Sequence, residues 1–152
     1  MRRAAGAALA ALALLGGCGR DGEEAYAGTV NAFCTDVRAS LRAFQQDASD
    51  AASGEDPDAA TRAFGRAVRG LSGDLRRATG TLREADPPGT YADFNAETVR
   101  GFDEAARRLE AVGTAAQAGD SDALRDIDRR LGDLDVPAGP PELRERAPAC
   151  RS

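Results

Sequence analysis

Apolar residues recur at alternating steps of three and four along most of this chain, and that spacing commits it to helices. Tyr26, Val30, Phe33, Val37, Leu41 and Phe44 form the first such stripe, the single apolar face of a helix with 3.6 residues per turn. It predicts a helix over about residues 23–49, with Glu23 and Glu24 suited to the positive end of the helix dipole. Ala60, Phe64, Val68, Leu71, Leu75, Ala78 and Leu82 form the second seam. Asp56 is expected to cap that helix, with Pro57 at its first position and Asp86-Pro87-Pro88-Gly89 ending it. Gly65, Gly70, Gly73 and Gly80 sit inside it at about 0.5–1 kcal/mol each relative to Ala. At about 100° per residue, Gly65, Gly73 and Gly80 fall away from the seam and are expected on the solvent face.

A third stripe, Tyr91, Phe94, Thr98, Phe102, Ala105, Leu109, Val112 and Ala116, predicts a helix from Tyr91 or Asp93 to Ala118, stopped by Gly119. Asp103–Arg107 and Glu104–Arg108 are expected as ion pairs one turn apart. Thr98 is polar at a seam position and is expected to bond the carbonyl one turn back. A fourth helix is expected from Asp120 or Ser121, carrying Leu124, Ile127, Leu131 and Leu134, with Val136-Pro137 ending it. Pro141-Glu142-Leu143-Arg144 is expected to make one helical turn. No strand pattern and no repeat interrupts this order. Four helices with short links predict an all-α, up-down-up-down four-helix bundle.

The N-terminus reads differently. Arg2 and Arg3 precede an uncharged run from Ala4 to Leu15. Twelve residues are too few to cross a hydrocarbon core of about 30 Å, so the run reads as the apolar part of a signal peptide. Behind it, Leu15-Gly16-Gly17-Cys18 resembles the bacterial lipobox. An ordinary signal peptide followed by a stray Cys is the alternative. The lipobox resemblance implies a diacylglyceryl thioether on Cys18 and cleavage before it. Residues 1–17 are then a lipoprotein signal peptide, 18–22 a short lipidated tether and 23–152 the helical domain. The expected location is the outer face of the cell membrane, with the lipid bilayer as first partner.

That location bears on the other cysteines. The chain has three; with Cys18 lipidated, Cys34 and Cys150 remain. An oxidising compartment and an even remainder predict one disulfide, with two free buried thiols as the alternative. The bridge pins the C-terminal tail onto the first helix. It closes a loop of over a hundred residues, worth about 4–5 kcal/mol in the chain-entropy model.

The chemistry on offer is sparse. The chain has no His and no Trp, which removes Ser-His-Asp triads, Cys-His pairs and His-based metal sites. No catalytic residue, cofactor or metal is expected. The 20 basic residues are all Arg, against 25 acids, and the 135 residues from Cys18 onward carry a net charge of −7. Such a domain repels phosphate backbones, so no nucleic-acid partner is expected. Asp120, Asp122, Asp126 and Asp128 cluster around the start of the fourth helix. A Ca²⁺ site needs converging oxygens, but Arg125, Arg129 and Arg130 intervene, so they are expected as acids on a solvated helix start. Tyr26, Tyr91 and Phe94 are expected to meet at the membrane-proximal end, as the end of the core or as the lining of an apolar pocket.

As a whole the chain resembles the small, functionally uncharacterised lipoproteins of high-GC Gram-positive bacteria. The features that carry the likeness are the lipobox, the early Asn31-Ala32-Phe33-Cys34, the Ala-Leu-rich middle and the late Ala147-Pro148-Ala149-Cys150. The resemblance implies an envelope location and no known activity. The function expected is a non-enzymatic envelope module that presents a surface to another envelope protein. A carrier of a small apolar ligand in the bundle interior is the alternative. A carboxylate-based hydrolase is a third, and would need two buried acids facing each other in a cleft.

Overall fold

The computed structural model describes residues 20–125, 127 and 139–151. The expected signal peptide, Cys18 and most of the helix expected over 120–134 lie outside the described residues. Three long helices dominate: α1 (Arg20–Ala52), α2 (Pro57–Glu84) and α3 (Ala92–Gln117). A short α4 (Pro141–Arg146) and a 3-10 turn at Pro148–Cys150 follow. The described residues contain no strand and are all-α.

α1 is already helical at Arg20, the first described residue and three before the expected start, and Asp21 and Glu23 favour the helix dipole there. Residues 20–22 therefore belong to the helix and not to a tether. Asp56 caps α2 as expected: its carboxylate accepts from the backbone N–H of Asp58 at 2.9 Å and of Ala59 at 3.3 Å. Gly119 ends α3 with a φ of +95°. Its N–H and that of Asp120 donate to the carbonyls of Ala116 and Ala115 at 3.0 and 3.1 Å, a closure that needs the left-handed conformation glycine tolerates.

α2 lies between α1 and α3 and packs against both. Successive helices are antiparallel. Phe44 near the end of α1 meets Phe64 near the start of α2, ring centroids 5.8 Å apart. Arg83 at the end of α2 pairs at 2.6 Å with Asp103 in the first half of α3. The core joins Tyr26, Val30 and Phe33 of α1, Val68, Leu71, Leu75 and Leu82 of α2, and Phe102, Leu109 and Val112 of α3. Each such side chain, fully buried, is worth about 1.5–3 kcal/mol. Leu41, expected in the α1 seam, is instead 38% exposed.

α2 buries two stripes. One is the expected seam. The other is Gly65, Ser72 and Thr79, spaced by seven, of which Gly65 and Ser72 meet α3. Gly65 therefore does not face solvent. A Cβ there would stand 2.8 Å from the Gln117 nitrogen and 2.9 Å from the Gly113 carbonyl oxygen. The two backbones approach so closely that only glycine fits. Gly73 and Gly80 do face open space, as their angular position predicts. Further along, the Ser72 hydroxyl donates to the Ala106 carbonyl at 2.7 Å.

Two further expectations are corrected on α3. Asp103 does not pair with Arg107. It turns across to α2 and takes both contacts from Arg83, at 2.6 and 2.7 Å. Glu104 takes Arg108 at 2.7 Å, as expected, and Arg107 as well. These two arginines, Arg108 first, hold the half-buried Glu104 carboxyl below the usual carboxylate range. The Thr98 hydroxyl, 1% exposed, makes no bond to the carbonyl one turn back and has no partner among the described residues.

Candidate functional site

The residues expected to matter come together in two places, both on α1. The first is the end of the bundle where α1 begins. Tyr26 lies almost two turns into α1, and Tyr91 just precedes α3. Their rings stack with centroids 5.6 Å apart and 17° between planes. The Tyr26 hydroxyl donates to Asn95 Oδ1 at 3.0 Å, and Asn95 Nδ2 donates to the Leu82 carbonyl at 3.2 Å. One chain of hydrogen bonds thus ties the start of α1, the end of α2 and the first turn of α3. Asn95 is a part of this site that the apolar stripes do not reveal. Burial pushes the Tyr26 phenol up to about 12, so near neutrality it serves as a fixed donor and not as an acid or base. Phe94 is half-buried beside Gly139, whose Cβ position lies 3.4 Å from the ring. The three aromatics expected at one end do gather there, and Tyr26 and Tyr91 are spent on closing the core, at 3% and 6% exposure.

The second place is the covalent one. Cys34 and Cys150 form a disulfide, with Cα atoms 5.2 Å apart across a sequence separation of 116. Polar contacts line the path of the tail up to it. Arg146 pairs with Glu23 at 2.9 Å, which raises the arginine further above its ordinary value. The Ala149 N–H donates to Asn31 Oδ1 at 2.9 Å. Arg38 donates to the Arg151 carbonyl, and Arg151 itself donates back to the Arg144 and Glu145 carbonyls at 3.0 and 2.8 Å. Leu143 and Ala147 are buried between these polar contacts. Asn31, one turn before Cys34, is a tail-docking residue that spacing alone does not single out.

The described residues also form two open surface grooves. One, of about 540 Å³, runs between α1 and α2 and is lined by Ala39, Ala43 and Ala78 together with Asp36 and Asp74. The other, about 290 Å³, lies beside Cys150 and is edged by Arg144 and Arg151. Of the expected acidic cluster, Asp120 accepts from the backbone N–H of Asp122 and Ala123 at 3.0 and 3.2 Å. Asp126 and Asp128 lie outside the described residues. Among the described residues no three His, Cys, Asp or Glu side chains converge as a metal site would require. No helix among them is long and apolar enough to cross a membrane.

The chain matches no family model, no curated protein and no solved structure.

Proposed function

We propose that this protein is a lipoprotein held on the outer face of the cell membrane through Cys18, acting without catalysis as an interaction module for another envelope protein. The observation that carries the reading is Leu15-Gly16-Gly17-Cys18 behind a charged and then an apolar segment. The Cys34–Cys150 bridge supports it, because such bonds persist in oxidising compartments. In this reading Cys18 is consumed by lipid, Cys34 and Cys150 by each other, and the buried hydroxyl of Tyr26 by Asn95. What is left for a partner is the helical surface.

The reading includes a fourth helix over about 120–134 that completes an up-down-up-down bundle. Asp120 capping the turn at Asp122–Leu124 and the burial of Ile127 in the core support it. Leu131→Ala should then cost about 2–5 kcal/mol.

The test of the anchor is processing. Blocking lipoprotein signal peptidase should accumulate a longer precursor, and Cys18→Ala should release the protein from the membrane fraction. A Cys18→Ala chain that still fractionates with membranes overturns the proposal. For the partner, capture from detergent-solubilised membranes should enrich one envelope protein with wild type and lose it with substitutions on the α1–α2 surface.

A further inference from the structure

The start of α1 limits how this domain can be placed against a membrane. On the reading of Cys18 as the lipid attachment point, only Gly19 lies between the lipid and Arg20, which is already part of α1. Two residue steps reach at most about 7 Å. That is shorter than the screening length of about 8 Å at physiological salt. From Arg20 the helix continues without interruption for 33 residues, about 50 Å at 1.5 Å per residue. So short a link keeps the start of α1, and no other part of the domain, within about 7 Å of the lipid.

That end can be read from its contacts. Tyr91 stacks on Tyr26, Arg146 pairs with Glu23, and Phe94 lies against Gly139. The loops Pro87–Thr90 and Gly139–Pro141 therefore lie beside the start of α1. Gly89, Thr90 and Pro141 are exposed, and Pro87, Pro88 and Pro140 half-exposed. These loop residues carry no charge. Proline fixes its own backbone, so the surface they offer is stiff.

The helices α1, α3 and α4 all begin at this end. Each has an acid in its first turn: Asp21 and Glu23, Asp93, and Glu142. Those carboxylates offset the partial positive charge of these helix starts, so the helix dipoles add no attraction for anionic headgroups. Its contact with the membrane then depends on the tether.

We infer that the end formed by the start of α1, Pro87–Thr90 and Gly139–Pro141 is seated on the phospholipid surface, with the α1–α2 link held about 50 Å away. The inference rests on the lipid-anchor reading and adds to it which end faces the bilayer.

The absence of Trp allows a direct test with single reporters. Thr90→Trp and Glu142→Trp mark the seated end, and Glu55→Trp marks the far link; all three sites are exposed. Each full-length lipidated chain is reconstituted into phosphatidylcholine vesicles containing headgroup-nitroxide lipid. Circular dichroism selects reporters that fold like wild type, and flotation reports attachment. Indole emission from the Thr90→Trp and Glu142→Trp chains should be mostly lost to the nitroxide. Emission from the Glu55→Trp chain should equal that in nitroxide-free vesicles. A chain that floats but is quenched equally at both ends, only at the link, or at neither end, overturns the seat and leaves the anchor standing. A wild-type chain that fails to float overturns the anchor and the seat with it.

Discussion

Gly65 on α2 and Gly113 on α3 face each other across an interface with no room for a side chain. A Cβ on either would stand 2.8–2.9 Å from the other's carbonyl oxygen. Ordinarily, Gly→Ala inside a helix stabilises by about 0.5–1 kcal/mol. Here overpacking against backbone costs about 1–3 kcal/mol, so Gly65→Ala should lower stability. Gly73→Ala and Gly80→Ala, which open on free space, should raise it. Urea midpoints of the three variants check the reversal of sign between Gly65 and the other two.

The Tyr26 phenol gives the fold an alkaline limit. Its pKa is about 10 in the unfolded chain and about 12 when folded, raised by burial. A raised value means that folding favours the protonated form. This contribution is complete below pH 10 and is lost as pH climbs toward 12. The loss is on the order of 2–3 kcal/mol by linkage. Tyr26→Phe should remove that part of the alkaline fall. Near neutral pH it should cost about 1–3 kcal/mol for the donor withdrawn from Asn95. Thermal melts of both proteins between pH 7 and 11.5, on the order of one per half unit, would show the two curves converging.

Thr98 and Thr79 are both buried in the core, yet their hydroxyls differ. Thr79 donates to the Leu75 carbonyl at 2.7 Å, and Thr98 has no partner among the described residues. An unmade buried hydrogen bond costs about 1–3 kcal/mol. Thr98→Val should therefore be neutral or stabilising, whereas Thr79→Val should destabilise by about 0.5–1.5 kcal/mol. Paired denaturation curves decide it, and equal losses at both positions would contradict the assignment.

Opening the Cys34–Cys150 bridge should cost about 4–5 kcal/mol through the loop it closes. Cys34→Ala with Cys150→Ala should lower the urea midpoint by the corresponding amount. Without the bridge, the tail is held only by Arg146–Glu23, Asn31–Ala149, the Arg38–Arg151 contact and the burial of Leu143 and Ala147. Amide exchange at Ala149 and Cys150 should then quicken before exchange in α2 does.

Much of this architecture is legible in the sequence because large apolar residues report the faces they bury. Val68, Leu71, Leu75 and Leu82 mark the α2 seam, and Asp56-Pro57 marks its start. The pairing of Cys34 with Cys150 is what cysteine parity predicts once Cys18 is read as the lipid attachment point. The second buried stripe of α2 is not legible in the same way. Gly65, Ser72 and Thr79 are small or polar, so hydropathy passes over a contact made by closeness of backbone. Asn95 and Asn31 escape notice for a related reason: an amide that bridges elements has no period. Asp103 pairs with Arg83 instead of Arg107 because antiparallel packing brings α2 within its reach. Leu41 belongs to the α1 stripe by spacing, but exposure depends on which neighbours reach that turn, and spacing does not encode them.

The disulfide also decides which parts of the molecule feel a mechanical load. A pull between Arg20 and Arg151 runs along the first half of α1 and crosses to the tail through a sulfur–sulfur bond. The second half of α1, with α2 and α3, lies outside that route. Tension that would peel apart an unlinked bundle instead stretches one short length of helix, and the rest of the core stays folded while its two ends are under strain.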